Sequence, residues 1–145
     1  MIHPKYININ RILGAMTFLI SFIVYFDTMA PSVSYWDCGE FIAVSYTLGV
    51  PHPPGSPLFL LLGRIASMLP ISEDIAFRVN LLSPLASAFS VLFLYFIIVQ
   101  LVNHWRGKIE TNTDALIAFG AGIVGSLTFA FTDSHWFNAV EAEVY

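Results

Sequence analysis

Charge is scarce in this chain: only 11% of its 145 residues are Asp, Glu, Lys or Arg. A soluble domain carries about 25%, so an ordinary water-soluble globule is excluded. Basic residues are scarcer still, six against ten acids for a net charge of -4. That leaves no electrostatic footprint for nucleic acid. A single cysteine, Cys38, excludes an internal disulfide and fits no zinc spacing, and reads as a small packing residue. The sequence has no Gly-rich phosphate loop, no Gly-x-Ser-x-Gly, no His-Glu-x-x-His and no internal repeat. What it has is apolar surface. Hydrophobic residues make up 57% of it and the mean hydropathy is +0.72, which places it among membrane proteins.

Three stretches are long enough to cross a bilayer, for which a helix needs about 20 mostly apolar residues. They run from about residue 12 to 29, 79 to 102 (interrupted by Pro84) and 115 to 132. The third carries Gly120, Gly122 and Gly125, which suit close helix packing. The first also has the basic start of a signal peptide, but Met29-Ala-Pro-Ser32 is a poor cleavage site and favours an uncleaved anchor. The last residues, Glu141-Ala-Glu-Val-Tyr145, bring no polar tail or basic stop. The chain therefore reads as the N-terminal part of a larger polytopic protein.

Lys5 and Arg11 precede the first span, while Arg106 and Lys108 lie in the loop 103–114. The positive-inside rule puts both places in the cytoplasm and leaves the loop 30–78 and the segment after the third span outside. The outer side then collects Asp27, Asp37, Glu40, Glu73, Asp74, Asp133, Glu141 and Glu143 against Arg64 and Arg78. Exported loops that merely lack bases would not also cluster acids.

The long outer loop is itself apolar. Residues 36–48 read as a short amphipathic helix, followed by the stiff turn Val50-Pro-His-Pro-Pro-Gly55. Ser56-Pro57 reads as an N-cap with proline at the first helical position. The helix it opens, residues 58–69, is too short to span and would lie in the interface plane. Ser72 with Glu73 and Asp74 is a plausible cap for the second span.

Ionisable groups at a membrane boundary usually serve a function or pair with a partner. Asp37 and Glu40 stand at i and i+3, neighbours on a helix surface, where like charge and partial burial raise at least one pKa and equip a carboxylate to accept a proton. The structural alternative is a pair of first-turn acids, since Ser34-x-x-Asp37 matches a capping box. His52, held among prolines beside these acids, could bind a phosphate or a metal, or simply be solvated. Arg64 and Arg78 could pair with Glu73 and Asp74 or hold the phosphate of a lipid-linked substrate. After the third span, His135 and Trp136 suit an aromatic belt, and Glu141 and Glu143 would face different sides of a helix. No metal-ligand spacing is present; a cofactor is not specified, and a divalent metal is compatible but not indicated.

Trp36-Asp-Cys-Gly-Glu40, Leu48-Gly-Val-Pro-His-Pro-Pro-Gly55, Arg78-Val-Asn-Leu-Leu82 and Trp136-Phe-Asn-Ala-Val-Glu-Ala-Glu-Val-Tyr145 together resemble one membrane-protein family. It is common in bacteria, was long labelled a domain of unknown function, and includes an animal endoplasmic-reticulum protein O-mannosyltransferase. The resemblance covers nearly the whole chain from Arg11. It implies a GT-C glycosyltransferase, with two juxtamembrane helices and an essential acid in the first non-cytoplasmic loop and a polyprenyl phosphate or diphosphate sugar donor. By position the catalytic acid maps to Asp37, with Glu40 the fallback, and Glu141 or Glu143 matches a second-loop acid.

The expected fold is an all-α polytopic membrane protein, a GT-C-like N-terminal module with three transmembrane helices and two interfacial helices. The expected function is inverting transfer of a sugar, such as mannose or another hexose, from a polyprenyl-phosphate donor to a hydroxyl of an exported protein or glycan. The site would face the periplasm or exterior, the setting a bacterial inner membrane. The rivals are a transporter or flippase of lipid-linked precursors, which would place acids inside spans, and a non-catalytic scaffold subunit.

Overall fold

A computed structural model describes residues 2–34, 36–53 and 55–142. Among them lie seven helices: α1 (Pro4–Thr28), α2 (Cys38–Thr47), α3 (Pro57–Ser67), α4 (Ile75–Asn80), α5 (Leu82–Arg106), α6 (Asn112–Ala130) and α7 (Asp133–Ala139). Three helical stretches are long and apolar enough to cross a membrane: Pro4–Thr28, Ile75–Arg106 and Asn112–Ala130. The chain divides into two compact units. One comprises Met1–Ile23 and Ser87–Thr132, the other Val24–Ala86 and Asp133–Tyr145.

In the first unit Tyr6, Tyr95, Val99, Ile109, Ala118 and Phe119 form the buried core. A Cβ at Gly122 would come within 2.8 Å of both Tyr95 and Val99, so glycine there lets α6 approach α5. Gly125 likewise faces Ile98, but Gly120 has nothing within 4 Å, so the expected packing role belongs to two of the three glycines.

Helix α1 begins well before residue 12 because its polar first turns have partners. The backbone pairs Ile2 with Ile109, Tyr6 donates to Asn112 Oδ1 at 2.7 Å and Tyr95 donates to Asn10 at 3.0 Å. These bonds bring the start of α1 and the α5–α6 connection to one end of the unit, the end carrying Lys5, Arg106 and Lys108. Thr111 and Asp114 form a reciprocal capping box at the start of α6.

In the second unit Cys38, Ile42, Ala76, Val79 and Ala142 form the core, with Phe59 and Ile75 packed against it. Helices α2, α3 and α4 pack on one another. A Cβ at Gly63 would overlap the Ser45 side chain, so α2 and α3 meet where one has no side chain. Helix α3 buries Leu60, Gly63, Ala66 and Ser67 and leaves Leu58, Leu61, Leu62 and Ile65 exposed.

The second span differs from expectation in its entry. It starts as α4, capped by Asp74, whose carboxylate accepts from Ala76 N at 2.8 Å, while Ser72 accepts from Asp74 N. Leu81 separates α4 from α5. Pro84 falls in the first turn of α5, where a missing N–H breaks no helical bond, so it marks a start rather than an interruption. Helix α7, directly after α6, is an element the sequence did not signal.

Candidate functional site

The site is built at the two ends of α2. The chain leaves α1 through Ala30, whose N–H bonds to Val140 O at 2.8 Å. At Trp36 the backbone takes φ +59°, an uncommon conformation for a bulky residue. Asp37 follows at the N-cap, yet its carboxylate makes no capping bond. The expected box from Ser34 does not form either, because the Ser34 hydroxyl donates to Glu141 Oε2. A capping duty for Asp37 is thereby removed, and its carboxylate is left half-exposed, 43%.

At the other end Leu48 turns the chain with φ 54°. The turn that follows is closed by Gly55 N to His52 O at 3.1 Å, with Gly55 at φ +74°. It carries His52 back onto Glu40. Glu40 Oε1 accepts from His52 N at 2.8 Å, and Glu40 Oε2 lies 2.7 Å from His52 Nδ1. Both carboxylate oxygens thus grip one residue. His52 Nε2 lies 3.8 Å from Asp37 Oδ2, beyond hydrogen-bond distance. Phe41 borders the imidazole, ring centroids 6.1 Å apart. The hydrogen bond from the His52 ring, with that from its backbone, pulls the Glu40 carboxyl below its ordinary range. The same ring bond to Glu40 raises the imidazole pKa, and the charges of Glu40 and Asp37 add to it against partial desolvation.

The other candidates go elsewhere. Arg64 donates to Tyr46 O at 2.5 Å and lies over the Tyr46 ring. Arg78 donates to Ser67 O at 2.5 Å, Leu69 O at 3.1 Å and Asp74 O at 3.4 Å. These are backbone carbonyls, not the Glu73 and Asp74 carboxylates, and Arg78 closes the C-terminus of α3 as basic residues often do. His135 stacks edge-on against Tyr25, centroids 6.0 Å apart. Glu141 is buried at 6% exposure, and its Oε1 has no hydrogen-bond partner among the described residues. Glu143 lies outside the described residues.

One residue was missed from sequence. Asn80, fully buried, donates to Ala30 O at 3.0 Å and Ser32 O at 2.9 Å and accepts from Ala142 N at 3.2 Å. The Cys38 thiol reaches the same oxygen at 3.6 Å. Asn80 therefore fastens the stretch before Asp37, the first residue of α2 and the segment carrying Glu141. Its signals were a polar residue inside an apolar run and its place in the motif Arg78-Val-Asn-Leu-Leu82, neither of which gave it a role.

An integral membrane protein of helical spans is thus defined, with a carboxylate–imidazole cluster on the connection between the first two. The chain belongs to the family described as the protein O-mannosyl-transferase TMEM260 N-terminal domain, whose model matches residues 37–145. That span contains Asp37, Glu40 and His52. The chain is 31% identical over 133 residues to the protein O-mannosyl-transferase tmem260 of Dictyostelium discoideum, covering 90% of this chain and 14% of that protein. It is 32% identical over 122 residues to protein O-mannosyl-transferase TMEM260 of Mus musculus, covering 84% and 15% respectively. The chain therefore spans only about a seventh of the length of these relatives. No solved structure matches it.

Proposed function

We propose that this chain is the N-terminal part of a membrane glycosyltransferase of the GT-C type, moving mannose or another hexose from a polyprenyl-phosphate donor to a Ser or Thr hydroxyl of an exported protein. The reading rests on relatives named as protein O-mannosyl-transferases and on one observation: Asp37 is half-exposed, free of capping duty and 3.8 Å from an imidazole that Glu40 holds in place. In this mechanism Asp37 takes the acceptor proton as the hydroxyl oxygen attacks the anomeric carbon. The bond from that carbon to the donor phosphate breaks, and the polyprenyl phosphate leaves with the electron pair, inverting the centre through an oxocarbenium-like transition state. Glu40 positions His52, the nearest group able to bear positive charge toward the departing phosphate. Such stabilisation is worth about 3–4 kcal/mol. The exposed apolar stripe of α3 suits a helix lying in the interface where a lipid-linked donor is presented.

Asp37→Asn in the full-length protein tests this reading. It keeps volume and removes proton acceptance, so hexose transfer, read by mass spectrometry of exported proteins, should fall at least ~10²-fold with expression intact. An asparagine that transfers like the wild type moves the base to Glu40 if Glu40→Gln is inactive. If both variants transfer normally, the loop is not catalytic.

A further inference from the structure

We infer that the groove between α1 and α6 holds an acyl chain of an anionic phospholipid, whose phosphate sits at Lys5 and Asn112. The inference goes beyond the transfer reaction proposed above. The groove belongs to the first unit, whereas Asp37, Glu40 and His52 belong to the second.

The groove encloses about 390 Å³ and is walled by Ile9 and Leu13 of α1 and by Leu116, Phe119 and Ile123 of α6. Gly120 also lines it. A Cβ at Gly120 would meet nothing within 4 Å among the described residues. Glycine in a helix interior is disfavoured against alanine, and neither close packing nor a turn asks for it here, unlike at Gly122 and Gly125. Its missing side chain leaves open space along the groove. From Asn112 to Ile123 a helix rises about 16 Å, close to half of the ~30 Å hydrocarbon core. The groove is thus as long as the chain of one leaflet. A docked spanning helix would instead follow α6 on to Ala130.

The mouth of the groove supplies the charge complement. Lys5 is exposed. Its ammonium lies 5.1 Å from the Tyr6 ring centroid and 3.5 Å from Asn112 Oδ1. The same oxygen accepts from the Tyr6 hydroxyl at 2.7 Å. With that oxygen occupied, the Asn112 NH₂ group and the Lys5 ammonium remain as donors, which suits a phosphate. Acids at this end have other partners. Asp114 Oδ2 accepts from the Thr111 N–H and hydroxyl, and Glu110 lines a separate hollow with Lys108 and His3. A basic mouth over an apolar groove between spanning helices is what anionic headgroups recognise.

The test uses the full-length protein in phosphatidylcholine nanodiscs carrying a trace of phosphatidylglycerol with a diazirine on its acyl chain. Photolysis and peptide mass spectrometry should place adducts on Leu116, Phe119 and Ile123. Their yield should exceed that of the matching phosphatidylcholine probe about fivefold, the discrimination expected of one lysine near the surface. Lys5→Gln should abolish this preference. Lys108→Gln, at the same end but outside the groove, should keep it. Gly120→Leu enters open space, so it should melt no lower than the wild type in detergent and yet lose the groove adducts. Adducts spread evenly over the exposed faces of all three spans overturn the site, as do groove adducts undiminished in Gly120→Leu. A preference that Lys108→Gln abolishes as fully as Lys5→Gln reduces it to surface charge. A groove without adducts refutes the lipid, and crosslinking of Leu116→Cys to another segment of the full-length protein would name that segment as the occupant. None of these readouts uses hexose transfer.

Discussion

Asn80 uses every hydrogen-bonding valence of its amide inside the protein, two donors and two acceptor positions. Asn80→Ala would leave Ala30 O, Ser32 O and Ala142 N without that partner, and a buried polar group so abandoned costs about 1–3 kcal/mol. Thermal denaturation of the full-length protein should show a clear loss of stability, with the buried Cys38 thiol newly reactive to maleimide. Unchanged Cys38 protection would mean that α2 is held by apolar packing alone. Arg78 is a second case. The sequence offered the Glu73 and Asp74 carboxylates or a lipid phosphate as its partner, and its guanidinium serves three backbone carbonyls. Arg78→Ala should therefore lower stability by about 1–3 kcal/mol, and Arg64→Ala, with one exposed carbonyl partner, by less. Weakened donor use at unchanged melting temperature would restore the phosphate role. The difference between Asp37 and Arg78 has a physical basis. A carboxylate three residues from another is legible from helical spacing, but which carbonyls a long guanidinium reaches depends on how α3 ends and α4 begins, which spacing does not encode.

Among the elements, α2 and α3 meet through Gly63 and Ser45, and the fit leaves no room for a methyl group. Gly63→Ala gains helix propensity, worth about 1 kcal/mol in an open helix, but here must push Ser45 aside at an overpacking cost of about 1–3 kcal/mol. Packing should win, giving net destabilisation that Ser45→Gly added to Gly63→Ala partly reverses. A strictly additive double mutant would show that the two residues do not press on each other. The helices themselves were largely legible, because long apolar runs and the Ser56-Pro57 start carry strong local signals. Their ends were less so. Ser34-x-x-Asp37 and Thr111-x-x-Asp114 look alike as capping boxes, yet only the second forms. Ser34 is drawn to Glu141, 107 residues away, a tertiary partner that no local pattern reveals. The cluster at His52 was half legible: its members were named from proximity in sequence, but the grip of both Glu40 oxygens on one residue depends on the φ values of Leu48 and Gly55.

For the whole molecule the open question is which side of the membrane each loop faces. Two spanning helices return the 106–111 connection to the side of the N-terminus, and the backbone pairing of Ile2 with Ile109 joins those two segments directly. Lys5, Arg106 and Lys108 gather there, while Asp37, Glu40, Asp74 and Glu141 belong to the segments between and after the spans. The excess of Lys and Arg in short loops sets orientation, with acids contributing little, so the basic end should be cytoplasmic and the Asp37 cluster external. Single cysteines in a Cys38→Ala background of the full-length protein read this directly. A cysteine at Val50, which is 90% exposed and near His52, should react with an impermeant maleimide added to intact cells. A cysteine at Gly107, whose added side chain would meet nothing within 4 Å, should react only after permeabilisation, although its φ of +98° will strain the turn slightly. The reverse pattern would place the carboxylate–imidazole cluster in the cytoplasm. A polyprenyl-linked donor presented on the outer face could not reach it there, and the proposed transfer to exported proteins would fall with the topology.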